Sequence, residues 1–303
     1  MIEIASFTKK FGSLVALNAI SFNIGQGSIF GLVGSNGAGK STLLRSLCGV
    51  YAPDGGCVKI DGQEPFENPA LKERVIFVPD FPYYLPQFTL DAMAKFYRSM
   101  YRSWSQQEYI RLCGLFGLDR RKRIHNMSKG MQRQTALICA LAAMPDYLLL
   151  DEVFDGLDPV MRQLLKRIIS DQVAERQLTV VIASHNLREL EDFCDHVGLI
   201  HEGGVVFEQE LDELKLGISK AQAVFQPPLE QQQEEWLKAR LDVIRLERRG
   251  SMVSLVARKD LETVQNVLDE LDPVFSETLP LSLEEVFISE MEAAGYDLNK
   301  ILS

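Results

Sequence analysis

Ile29-Phe30-Gly31-Leu32-Val33-Gly34-Ser35-Asn36-Gly37-Ala38-Gly39-Lys40-Ser41-Thr42-Leu43-Leu44 is the stretch on which the fold turns. Its first five residues predict a buried strand, and residues 34–41 fit G-x-x-x-x-G-K-[S/T] ahead of a helical run from Thr42. Glycines let the backbone curl so that successive N–H groups face a phosphate, and the helix adds its positive N-terminal end. In such a loop the Lys40 amine reaches the β and γ phosphates and the Ser41 hydroxyl ligates Mg²⁺. With glycine near 7% of residues, a chance match in a chain of this length is on the order of 1%, so an ordinary structural turn is a poor rival.

Phosphate chemistry needs a second metal anchor and a group that positions water. Tyr147-Leu148-Leu149-Leu150-Asp151-Glu152 offers both at the end of an apolar strand, where ligands of open α/β sheets sit. Asp151 would hold the metal and Glu152 would orient or deprotonate the attacking water. A helix N-cap is the other reading of an Asp-Glu pair after a strand. His185 follows the apolar run 178–183 and is a third polar group at a strand's carboxyl end, aimed at the γ-phosphate and the water. His125, His196 and His201 have no comparable setting.

Further apolar runs at 75–78, 147–150, 178–183 and 197–200, with strands expected at 3–8 and 20–24, imply α/β with a mainly parallel sheet. Between Phe81 and Trp104 the texture changes: Phe81, Tyr83, Tyr84, Phe88, Phe96, Tyr97, Tyr101 and Trp104 are 8 of the chain's 26 aromatics. This segment predicts a helical insertion, its rings forming either its own small core or a docking groove. Past 217 the pattern restarts with strands near 221–225, 243–247 and 252–257, and helices at 229–241, 261–271 and 283–293. The last helix opens on the capping box Ser282…Glu285.

Composition bounds these readings. The 303 residues, 46% hydrophobic and 24% charged, exclude disordered, collagen-like and small disulfide-stapled classes, and a chain of this length is expected to split into two domains. A net charge of −10 argues against a nucleic-acid partner, which draws on clustered Lys and Arg. Residues 215–303 hold 10 basic and 16 acidic residues, so −6 of that charge lies there. No run approaches the roughly 18 apolar residues of a membrane span, because the best, 136–150, is broken by Pro145-Asp146. The N-terminus shows no secretory pattern, and five cysteines without a Cys-x-x-Cys pair are read as reduced thiols of a cytosolic protein.

The three sites, in this order, resemble the nucleotide-binding domain of ATP-binding cassette (ABC) transporters, over roughly residues 2–215. A fourth motif sharpens the likeness: Met127-Ser128-Lys129-Gly130-Met131-Gln132, ahead of an apolar helix from Thr135, resembles the family's signature loop. The resemblance implies a P-loop NTPase fold of ABC type, a mixed sheet with a helical subdomain at about 81–145, followed by a small α+β domain at 216–303. It also implies Mg-ATP held at a dimer interface. Gly34, Ser35, Asn36, Gly37, Ala38, Gly39, Lys40, Ser41 and Thr42 would bind one nucleotide, with Phe11 stacking on adenine. Ser128, Lys129, Gly130 and Met131 would close on the partner's nucleotide. Asp155-Gly156-Leu157-Asp158 resembles the loop that communicates across the dimer.

Implied partners are a second ABC ATPase, identical or not, and separate transmembrane permease subunits that would hold the chain at the inner face of the cell membrane. The tail resembles segments appended to ATPases of multidrug and antibiotic-peptide export systems. A soluble ABC ATPase acting as a switch on a ribosome or nucleic-acid machine is the alternative. Four positions depart from the family pattern, one of them Met131, which stands for Gln in the signature loop. Asp80 stands for the usual Gln, as a stronger metal ligand or as a charge that repels phosphate. Lys129 stands for Gly, facing the partner's nucleotide or solvent, and Val153 stands for Pro, with an effect expected on backbone stiffness alone.

Overall fold

The structure, a computed structural model, describes residues 1–293. The chain divides into two compact units at 208/209, ahead of the expected 215, because the helix at 211–217 packs with the closing helix of the second unit. Residues 294–303 of the expected second domain lie outside the described residues.

The first unit runs β1 (Ile2–Phe11), β2 (Leu14–Ile24), β3 (Ile29–Val33), α1 (Lys40–Leu47), β4 (Gly55–Ile60), α2 (Pro69–Lys72) and β5 (Val75–Val78). It continues through α3 (Leu90–Met100), α4 (Gln106–Phe116), α5 (Lys129–Ala142), β6 (Tyr147–Asp151), α6 (Pro159–Arg176), β7 (Thr179–Ser184), α7 (Leu187–Glu191), β8 (His196–His201) and β9 (Gly204–Glu210). One sheet is ordered β5-β6-β7-β3-β8-β9, and a smaller antiparallel one is ordered β2-β1-β4. The sheet system is therefore mixed. β3, β6 and β7 are buried at every residue, as strands covered on both faces must be.

The register matters for the site. β3 pairs parallel to β7 with Val33 opposite Ser184, and β6 pairs parallel to β7 with Asp151 opposite Ala183. The carboxyl ends of all three strands therefore lie at one level, and the loops that leave them share one edge of the sheet. Leu43, Leu44 and Leu47 of α1 are fully buried in the core with Phe22, Phe30 and Leu149, which fixes the helix behind its loop.

Two parts of this unit differ from the sequence reading. β2 starts at Leu14 rather than 20, and β4 was not expected. Leu14 and Val15 are exposed, so they give no alternating pattern, and β4 opens on Gly55-Gly56, which resembles a loop. Gly56 has φ 64°, and a Cβ there would meet the Ser6 carbonyl oxygen at 2.2 Å, so the strand needs glycine where β1 comes closest. The second difference is α5, which begins at Lys129 and not at Thr135, because Ser128 caps it by accepting from the Met131 amide at 3.3 Å.

The second unit comprises α8 (Leu211–Gly217), β10 (Ser219–Val224), α9 (Gln231–Arg240), β11 (Val243–Arg249), β12 (Met252–Ala257), α10 (Leu261–Asp269), β13 (Phe275–Pro280) and α11 (Leu283–Ala293). Its antiparallel sheet is ordered β11-β12-β10-β13. Ala221, Ala223, Val253 and Leu255 alternate toward a core closed by Leu237 of α9 and Val264 and Leu268 of α10. The expected capping box forms, with Glu285 accepting from the Ser282 amide at 3.1 Å and Ser282 accepting from the Glu285 amide at 3.3 Å. β13 was not expected, since Phe275 and Leu279 are exposed on an edge strand. No helix among the described residues is long and apolar enough to cross a membrane.

Candidate functional site

The loop after β3 is shaped by close approach. A Cβ at Gly34 would meet the Ile200 carbonyl oxygen at 2.2 Å, and one at Gly39, at φ 112°, would meet Leu17 Cδ2 at 2.6 Å. Only glycine fits either place. Gly39 is also the N-cap of α1 and makes no side-chain cap, so the first amides of the helix are left to the cleft. Beneath the loop the Lys40 ammonium, 5% exposed, donates to the carbonyls of Gly34 at 2.6 Å and Ser35 at 3.1 Å. Glu152 Oε1 lies 3.6 Å from it. Burial lowers the Lys40 pKa, against the opposing pull of Glu152 and Asp151.

Ser41 Oγ donates to Asp151 Oδ1 at 3.1 Å, joining the start of α1 to the end of β6. Asp151 is 3% exposed and its carboxyl is raised, first by burial, with the Ser41 hydrogen bond opposing. A hydroxyl and a buried carboxylate side by side are hard oxygen donors of the type Mg²⁺ takes. Together with the uncapped amides and the buried lysine, they fit a magnesium-bound triphosphate.

Glu152 leaves β6 at φ 48°, a conformation a non-glycine residue adopts only under constraint, and its amide is held by the Ala183 carbonyl at 2.9 Å. It does not cap a helix. That task falls to Asp158, which accepts from the amides of Val160 and Met161 at 3.0 Å each. The other Glu152 oxygen meets His185, whose amide donates to it at 3.3 Å and whose Nδ1 lies 2.9 Å away. With Nδ1 on the carboxylate, Nε2 lies on the far side of the ring, and His185 is 46% exposed. Asp155 joins this pair: one ligand atom each of Glu152, Asp155 and His185 lie within 4.8 Å of one another.

A cleft of about 550 Å³ collects Phe11, Asn36, Gly37, Ala38, Gly39, Lys40, Ser41, Thr42, Asp80, Asp151 and Glu152. Gly34 and Ser35 turn the loop from behind it. Leu14, Val15, Ala16, Glu202 and Gly203 also line the cleft and were not anticipated. Phe11 is not an isolated ring: Tyr51 meets it edge-on at 5.1 Å and the Lys9 ammonium lies 5.6 Å from its centroid. Of the four departures, Val153 is 3% exposed, Lys129 is exposed, Met131 is half-buried, and Asp80 lines the cleft while ion-paired to Arg133.

A separate hollow of about 320 Å³ is lined by Asp80, Phe81, Lys129, Gly130, Arg133, Asp155 and Gly156. Gly130 is pressed so close to the Gly156 carbonyl oxygen that a Cβ would lie 3.0 Å from it. Ser128 and Met131 are occupied in the helix cap, and Leu157 is buried at 5% exposure. The aromatic segment is divided. Phe81 and Tyr83 are 76% and 79% exposed, whereas Tyr84 donates from its hydroxyl to the Gln132 carbonyl at 2.7 Å and Tyr97 packs on Tyr101.

A glycine loop and helix N-terminus over a buried lysine, facing two carboxylates at the carboxyl end of β6, define a phosphate-loop nucleotide-binding cassette. The family model described as "ABC transporter" matches residues 17–155. The ABC transporter ATP-binding protein YtrB of Bacillus subtilis is 30% identical over 290 residues, which cover 96% of this chain and 98% of that protein. This chain therefore belongs to the ABC ATPase family as an ATP-binding subunit. The bacitracin transport ATP-binding protein BcrA of Bacillus licheniformis is 33% identical over 71% of each chain. The lantibiotic transport ATP-binding protein SrtF of Streptococcus pyogenes is 32% identical over 70% of this chain and 92% of its own. Among solved structures, an ATP-binding subunit of an ABC transporter superposes with a TM-score of 0.66 at 26% identity, covering 71% of this chain and 92% of its own. A dimeric ATP-binding cassette bound to ADP and phosphate shares the fold, with a TM-score of 0.63 at 23% identity over 70% and 99%.

Proposed function

We propose that the chain hydrolyses Mg-ATP between two cassettes and drives export through separate transmembrane subunits. The observation that carries this reading is the meeting, in one cleft, of Lys40, Ser41, Asp151 and Glu152, with His185 on the far oxygen of Glu152. Lys40 and the α1 amides bind the phosphates, and Phe11 offers a ring face to the base. Ser41 and Asp151 are the candidate holders of Mg²⁺, which when bound would neutralise charge developing on the phosphates, whereas the Asp80 carboxylate is engaged by Arg133. Glu152 takes the proton of the attacking water, and His185 holds the carboxylate in place while presenting Nε2 to the γ-phosphate side. Ser128, Lys129, Gly130 and Met131, with residues 155–158, form the surface offered to the second cassette, whether a copy of this chain or a sister ATPase.

Export is supported by the transport roles named for BcrA and SrtF, and a nucleic-acid switch is disfavoured by the net charge of −10. The second unit is read as an accessory domain of the ATPase. Phe81 and Tyr83 are the aromatic anchors for a short helix of the permease. Tyr84 is not one of these anchors, because its hydroxyl ties its segment to α5. In membranes carrying a co-expressed permease, Phe81→Ser with Tyr83→Ser is expected to reduce recovery of the chain with the membrane while ATP binding persists. Undiminished recovery would sink the docking assignment.

A further inference from the structure

Arg133 lies on α5 one turn beyond the Ser128 cap, and it meets two other segments at once. Its guanidinium pairs with the Asp80 carboxylate, and its Nε donates to the Asp80 carbonyl at 3.2 Å. The same group lies 6.0 Å from the Phe81 ring centroid, and a Cβ at Gly156 would sit 3.6 Å from its Nη1. Its side chain is only 15% exposed, so removing one partner would leave the other a poorly solvated, uncompensated charge. Asp80 lines both the nucleotide cleft and the hollow under α5. Burial raises its carboxyl, Arg133 lowers it, and Asp155 and Glu152 raise it again. Without Arg133, Asp80 would lose the cation paired to it and keep the Asp155 and Glu152 carboxylates nearby.

We propose that Arg133 is a positioning residue that neutralises Asp80, so that the cleft accepts a triphosphate where a bare carboxylate would repel it, and that ties the first turn of α5 to the metal side of the cleft. This rests on the nucleotide reading above, and it answers the question Asp80 raises in place of glutamine. The guanidinium fork suits the task because one side chain holds both the carboxylate and the backbone of the same residue.

The test is a titration of full-length variants with a non-hydrolysable ATP analogue and Mg²⁺, which reads binding and not turnover. Arg133→Gln is expected to raise Kd by roughly tenfold, within the range for contacting charged residues. Asp80→Asn combined with Arg133→Gln should bind within about threefold of Asp80→Asn alone, because removing the carboxylate removes the need for its partner. Arg133→Lys, which keeps the charge, should bind more tightly than Arg133→Gln. Wild-type affinity in Arg133→Gln, or a double variant no better than Arg133→Gln alone, would overturn the proposal. Failure of the nucleotide reading would look different, since then the wild type itself would not bind.

Discussion

In the nucleotide cleft the Lys40 ammonium is almost fully buried, spends its hydrogen bonds on two loop carbonyls, and has its nearest carboxylate oxygen 3.6 Å away. In the second unit Arg240 reaches both oxygens of Glu270 at 2.7 and 2.8 Å, with each side chain 48% exposed. Arg258 with Glu290 and Lys220 with Glu285 repeat that close pairing. Burying a charge is costly unless it is closely paired, and pairing it in water gains little. The buried lysine of the cleft therefore carries an electrostatic cost that an incoming triphosphate relieves, whereas these three pairs of the second unit are satisfied where they stand. A site built for ligand and a body built for stability can be told apart by where the unmatched charges lie.

Substitutions on the two sides should separate accordingly. Lys40→Ala removes the cleft's buried cation and is expected to weaken Mg-ATP binding by roughly 10- to 100-fold, the equivalent of about 1.5–3 kcal/mol for a charge-assisted hydrogen bond. Calorimetric titration measures it, and an unchanged Kd would erase the contrast. Arg240→Ala should leave that Kd alone and cost at most about 1 kcal/mol of stability by denaturant unfolding, as exposed pairs do. A loss of several kcal/mol there would mean the second unit depends on its ion pairs and the comparison fails from the other end.

The parts of this site that could be read in advance are those whose chemistry is local to a few consecutive residues. Gly34 to Ser41 states its purpose in its own spacing, and Asp151-Glu152 at the end of an unbroken apolar strand does the same. What could not be read was supplied by pairing at a distance. Leu14, Val15 and Ala16 reach the cleft only because β2 folds back along β1, and their exposure hides them from any hydrophobic pattern. Glu202 and Gly203 arrive with the turn after β8. Arg133 lies ahead of the helix expected from Thr135 and carries no motif, and its pairing with Asp80 spans 53 positions of sequence. In the second unit the helices and inner strands followed their apolar periods, whereas β13, an edge strand with exposed Phe275 and Leu279, had no period to follow.

Glu152→Gln compared with wild type, scored for Mg-ATP turnover and for nucleotide retained on the protein, is the measurement that bears most directly on the cleft as a site of hydrolysis. The expected result is retained ATP with turnover lowered about 10²- to 10⁴-fold, the range for loss of a general base. Equal turnover in the two proteins, or no ATP held by either at millimolar concentration, would contradict it.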